Sequence, residues 1–218
     1  MQLNTVIFDM DGLLIDSEPL WNQAAAEVLL QFGVKLSSQQ YSTTTGLRTK
    51  DFVEWWFRHF ELPAEEMLTA HIAIVDRVTE LIQQKGRPMP GVEYIFNFFV
   101  SKDFKIGLAT SSGSKVITSV IELLGIKKYL QATTSGDLLP YSKPHPQVYL
   151  NCAGELNADP LECICFEDSF NGMIAAKAAR MRCVVVPAAH ESQQLKWNAA
   201  DLKIASLLNF NELLLHSF

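Results

Sequence analysis

The stretch VIFDMDGLLIDSE, residues 6–18, runs from a short apolar segment straight into Asp9, Asp11 and Asp16. Unpaired carboxylates are rarely buried, and like charges raise one another's proton affinity. A strand that delivers them to one edge therefore calls for a cation. Three other segments carry chemistry of the same kind: Thr110, Ser111 and Ser112 follow KIGLA, Glu167, Asp168 and Ser169 follow CICF, and Lys143 stands in YSKPHP. Acidic groups converging on one spot repel unless a divalent ion sits among them, and hard oxygen ligands suit Mg²⁺. A Mg²⁺ beside a lysine and hydroxyls at a loop-to-helix junction is a place to hold phosphate oxygens, where one carboxylate could attack phosphorus.

Bringing these segments together requires a particular architecture. Apolar runs at residues 5–8, 105–110, 163–166 and 183–186 read as strands buried on both faces, and helical patterns fill 91–100, 114–125, 146–156 and 171–180. Strand and helix alternate, which predicts a parallel sheet wrapped by helices, with ligands beyond the carboxyl ends of the strands. Residues 16–86 break the rhythm and read as consecutive helices: Ser17 is expected to cap the first, which Gly33 closes, Thr49 to cap the second, and 63–84 to form a longer amphipathic helix. The division that follows is an α/β core from residues 1–15 and 87–218, with a helical domain from 16–86 inserted after the first strand.

The chain has 218 residues, 48% of them hydrophobic, and a formal net charge of -6. That balance, with no Lys/Arg run, argues against nucleic acid or an anionic membrane surface as partner, but not against a small anionic ligand. The four cysteines, Cys152, Cys163, Cys165 and Cys183, form no C-x-x-C pair and read as reduced core thiols. With neither a signal peptide nor a membrane span expected, the sequence reads as a cytoplasmic protein, and as a monomer.

In this order, FDMDGLLIDSE, LATSS, SKPHP and FEDSFNG resemble the four motifs of the haloacid-dehalogenase-like phosphohydrolases. DGLLIDSEPLW, GLR and LPYSKPHPQVYL are further similar to its sugar-phosphate phosphatases, those for hexitol phosphates and 2-deoxyglucose 6-phosphate among them. The resemblance implies a Rossmann-like core with a mobile helical cap, hinged near Asp16 and residues 85–91, and hydrolysis of a small sugar or polyol phosphate through an aspartyl-phosphate. It also implies roles: Asp9 as nucleophile, Asp11 as general acid then base, and Thr110, Ser111 and Lys143 on the phosphate. Mg²⁺ would be held by Asp9, the Asp11 carbonyl and Asp168, with Glu167 ligating or supporting from behind.

Cap residues would meet the sugar, and TGLRTKD, residues 45–51, is the specificity candidate, with Arg48 and Trp21 nearest; for Arg48 a plain surface charge is the competing explanation. Trp55, Trp56 and Phe57 are expected to pack the cap, Asp16 to serve a helix start, and His145 to be structural. β-Phosphoglucomutases, which share the motifs, carry a histidine where Trp21 stands and a cap arginine one position beyond Arg48, so the resemblance favours transfer to water. Phosphomutase and phosphoglycolate phosphatase remain the alternative activities. Haloacid dehalogenation needs neither Asp11 nor Mg²⁺. A phospho-accepting signalling or binding module, the non-enzymatic alternative, is disfavoured by motif order and by the inserted helices.

Overall fold

The computed structural model describes residues 3–44 and 46–218. A six-stranded, wholly parallel sheet runs in the order β3-β2-β1-β4-β5-β6, built from β1 (Thr5–Phe8), β2 (Lys105–Thr110), β3 (Ala132–Ser135), β4 (Cys163–Glu167), β5 (Arg182–Val185) and β6 (Leu202–Lys203). β1 lies between β2 and β4, in register Phe8 to Leu108 and Phe8 to Phe166, so the chain leaves the middle of the sheet at Asp9. Side chains alternate across the strands. Val6, Phe8, Ile164 and Phe166 pack on one face, where the rings of Phe8 and Phe166 lie 5.2 Å apart, and Ile7, Cys163 and Cys165 pack on the other.

The core helices are α5 (Val92–Val100), α6 (Ser114–Leu124), α7 (Gln147–Glu155), α8 (Phe170–Ala178) and the short α9 (Glu212–Leu215). Between β1 and α5 lie α1 (Glu18–Leu30), α2 (Ser38–Thr44), α3 (Thr49–His59) and α4 (Met67–Lys85). The segments entering and leaving this helical insertion run side by side, Asp16 donating its N–H to the Arg87 carbonyl at 3.0 Å and Met89 to that of Leu14 at 2.9 Å. α4 packs against both α1 and α3, burying Ile74, Val78, Leu81 and Ile82. Trp56 and Phe57 are in the cap's interior as expected, whereas Trp55 is 58% exposed.

Several local expectations are corrected. Ser17 precedes α1 but its hydroxyl makes no capping bond: its backbone is helical (φ -99°, ψ -18°) rather than extended, and the hydroxyl donates to Asp11. Arg48, not Thr49, is the N-cap position of α3, and no side chain caps it. The helical run after Pro63 begins as a 3₁₀ turn, Ala64–Glu66, before α4. α2, β3 and β6 are elements the apolar pattern does not announce. All four cysteines are free and buried, and burial pushes the Cys152 and Cys163 thiols up to about 12. No helix among the described residues is long and apolar enough to cross a membrane.

Candidate active site

The carboxyl edge of the sheet gathers the polar residues. Asp9 follows β1, Thr110 ends β2, Glu167 ends β4 with Asp168 next, and Lys143 arrives on the loop between β3 and α7. All but the buried Glu167 line a cleft of about 800 Å³, part of it open to solvent, whose opposite wall comes from the inserted helices: Glu18, Trp21 and Asn22 of α1, Tyr41 and Thr44 of α2, and Phe52 of α3.

Its base is a buried charge network. Lys143, 3% exposed, places Nζ 2.6 Å from Asp9 Oδ1 and 2.7 Å from Glu167 Oε1, with the Ala109 carbonyl and the Tyr149 hydroxyl each at 3.3 Å. Lys143 is therefore an interior charge rather than a solvated surface lysine. Glu167 is fully buried, and donors occupy both its oxygens: Lys143 and the Tyr149 hydroxyl (2.5 Å) on Oε1, the Ser169 N–H and hydroxyl on Oε2. A carboxylate has about four lone-pair sites, so Glu167 is saturated by protein and acts as the strut that holds Lys143. Gly172, in the first turn of α8, is needed here because a Cβ would overlap the Glu167 carboxylate. Ser169 also accepts the Gly172 N–H and so caps α8.

Asp168 is the contrasting acid. It makes no hydrogen bond or ion pair among the described residues, and its carboxyl group fills the space a Cβ on Gly12 would take, Gly12 being in the left-handed region at φ +74°. Burial first, then the charges of Asp9 and Glu167, push Asp168 well above the ordinary carboxylate range. Burial likewise raises Asp9 to about 8, against the pull of Lys143. One ammonium thus pairs with two of three acids and leaves the cluster short of positive charge. Burial works against the charge on Lys143 too, yet Asp9 and Glu167 hold it above the ordinary amine range.

Asp9, Glu167 and Asp168 offer oxygens within 4.8 Å of one another. With Glu167 saturated and Asp168 unpartnered, the donors fit a hard divalent cation between Asp9 and Asp168, with Glu167 behind it.

Asp11 faces the cap. Its Oδ1 accepts the Ser17 hydroxyl at 2.7 Å and the Trp21 indole N–H at 2.8 Å, while Oδ2 accepts the Ser112 hydroxyl at 2.7 Å and, at 3.5 Å, that of Thr110. Trp21 lines the cleft, and its one donor serves Asp11. Ser111 lines the cleft with its hydroxyl 3.4 Å from the Gly46 carbonyl, a contact between core and cap.

Arg48 departs from expectation, being neither a cleft residue nor a surface charge. It is 9% exposed, and its guanidinium forms a fork with Asp51, 2.8 Å and 3.0 Å, while Nη1 donates to the carbonyls of Leu139 at 2.5 Å and Gly136 at 3.4 Å. These contacts fasten the cap loop to the core loop that leads into Lys143. Thr45, the first residue of the expected specificity segment, lies outside the described residues.

The haloacid dehalogenase-like hydrolase profile matches residues 6–186. The chain belongs to this family. Hexitol phosphatase B of Escherichia coli K12 is 39% identical over 94% of this chain and 93% of its own. A probable pseudouridine-5'-phosphatase of Drosophila melanogaster is 32% identical over 94% of this chain and 90% of its own. Among solved structures, CbbY from Rhodobacter sphaeroides, crystallised with phosphate, superposes with a TM-score of 0.89 over 100% of both chains at 22% identity.

Tyr149, Ser17 and Glu18 were not among the residues expected in the site, and Ser112, one of the hydroxyls expected at this edge, serves Asp11. For Tyr149 a signal existed: a hydroxyl in the first turn of a helix six residues after Lys143 is well placed to share its partner.

Proposed function

We propose that the protein is a Mg²⁺-dependent phosphoric monoester hydrolase acting on small sugar or polyol phosphates through an aspartyl-phosphate. The observation that carries this reading is Asp9. It is a carboxylate at the sheet edge that keeps Oδ2 free of hydrogen bonds among the described residues while Oδ1 is held by Lys143. The likeness to hexitol phosphatase B supports the substrate class.

In this reading Asp9 Oδ2 attacks phosphorus, and Lys143 orients the attacking carboxylate through Oδ1 while placing positive charge beside the phosphoryl oxygens. Thr110 and Ser111, at the mouth of α6, hold those oxygens. Asp11 gives a proton to the leaving alkoxide, then takes one from the water that attacks the aspartyl-phosphate, which returns Asp9 and releases phosphate. Ser17 and Trp21 hold Oδ1, so Oδ2 makes both transfers, its long 3.5 Å contact giving way as the Thr110 hydroxyl turns to the phosphoryl oxygens, while Ser112 keeps the carboxyl group in one orientation. When bound between Asp9 and Asp168, the divalent cation supplies neutralisation of the charge gathered at the phosphoryl group. Residues 16–86 serve as the cap that closes over the substrate and excludes bulk water, Arg48 and Asp51 latching it.

The test is initial rates over hexose, deoxyhexose, hexitol, pentose and glycolate phosphates with and without Mg²⁺, for the natural protein and Asp9→Asn. Mg²⁺-dependent release with a preference for six-carbon esters, lost in Asp9→Asn, is expected. Undiminished turnover by the variant would refute the mechanism, and a glycolate-only enzyme the substrate class.

A further inference from the structure

The cap wall of the cleft has a charge pattern that bears on how many phosphates a substrate can carry. Among the described residues it presents aromatic and neutral polar side chains, Trp21, Asn22, Tyr41 and Phe52, and one ionisable acid, Glu18, with no lysine, arginine or histidine. The cap cation nearest in sequence, Arg48, is turned out of the cleft and held by Asp51 and two core carbonyls. Lys143, at the opposite end, is committed to Asp9 and Glu167.

Resting on the hydrolase reading above, we propose that this wall selects monophosphates whose remainder is uncharged, with Glu18 as the specificity residue that turns away a second phosphate. A second phosphate group carries a charge of about -1.5 to -2 at neutral pH and only acceptor oxygens. Entering this wall, it would give up water for a carboxylate and aromatic rings, with no cation to replace that hydration. A hydroxyl suffers no such penalty, because it can donate to the Glu18 carboxylate and accept from the Asn22 amide one turn along α1. Burial, with the charge of Asp11 adding, raises Glu18 to about 7, so the carboxylate is ionised in mildly alkaline solution.

The experiment compares kcat/KM for glucose 6-phosphate and glucose 1,6-bisphosphate at pH 8 with Mg²⁺, for the natural protein, Glu18→Gln and Leu47→Arg, the last placing a cation in the same cleft. The natural protein is expected to favour the monophosphate by at least about tenfold, and each substitution to narrow that ratio by about tenfold, the size expected from removing one charge or adding an opposite one in a partly solvated cleft. Because the readout is a ratio between two substrates, a general loss of activity cancels. If Glu18→Gln fails to fold, Leu47→Arg carries the test. Equal turnover of both esters by the natural protein, or a ratio that a folded Glu18→Gln or, failing that, Leu47→Arg leaves unmoved, overturns the inference. Release of phosphate from no ester at all would instead contradict the hydrolase reading.

Discussion

Replacing Lys143 by methionine probes the charge network under the cleft. Methionine preserves most of the side chain's length while removing the Nζ contacts to Asp9 (2.6 Å), Glu167 (2.7 Å), the Ala109 carbonyl and the Tyr149 hydroxyl. Because Lys143 and Glu167 are almost wholly enclosed, breaking the pair leaves carboxylates in a poorly solvated space, at a cost of about 3–5 kcal/mol. For a chain of this size that corresponds to a melting temperature lower by roughly 6–20 °C. The loss also has a pH signature. The folded-state value of Asp9 is already raised to about 8 by burial, so the folded protein binds that proton more tightly than the unfolded chain does. Protonated Asp9 therefore favours folding fully below the ordinary carboxylate range, and that contribution disappears as pH rises towards 8. Without the lysine the penalty for ionising Asp9 grows, so the deficit of Lys143→Met should be smallest near pH 5 and largest near pH 8. Thermal melts of both proteins in EDTA across that range measure it. A variant that melts with the natural protein at every pH would show that Lys143 does not balance these acids.

Three further outcomes follow from the same contacts. In the natural protein, added Mg²⁺ should raise the melting temperature more at pH 8 than at pH 5, because the cation competes with protons for Asp9 and Asp168; equal shifts at both pH values would contradict a site built on these acids. Arg48→Ala should cost about 1–3 kcal/mol in urea unfolding and raise KM, and Arg48→Lys should restore little, since an ammonium cannot reproduce the fork on Asp51; full rescue by lysine would refute the latch. Burial opposes ionisation of Asp51, but its bonds from Arg48 and Ser142 outweigh that and hold it below the ordinary carboxylate range, so the latch contributes fully above that range and is lost as pH falls through the depressed value; an Arg48→Ala deficit that persists undiminished in strong acid would contradict this.

The strands at the middle of the sheet were legible because both faces are buried: β1 and β4 read as unbroken apolar runs. β3 escaped notice since Thr133 is exposed between inward-facing Ala132 and Thr134, and β6 has only two residues. α2, with the sequence SQQYSTT, buries only Thr44 and so carries no amphipathic stripe. At the site, the residues just after each strand could be picked out because parallel strands deliver them to one edge, and the structure brings Asp9, Thr110, Lys143, Glu167 and Asp168 together there. What could not be read was direction. Whether Arg48 points into the cleft depends on carbonyls 88 and 91 residues away in sequence, and the direction of the Ser17 hydroxyl depends on a carboxylate six residues back. Spacing along the chain identifies candidates, while competition among nearby acceptors decides which one each donor serves.

The most direct test of the account is to trap the covalent intermediate. The protein would be mixed with a hexose phosphate labelled at phosphorus, quenched rapidly in acid and mapped by peptide mass spectrometry. The account predicts the label as an acyl-phosphate on Asp9, in the peptide containing FDMDG, and its absence from Asp9→Asn. Full turnover with no labelled Asp9 peptide, or label on Asp11 or Asp168 instead, would contradict it.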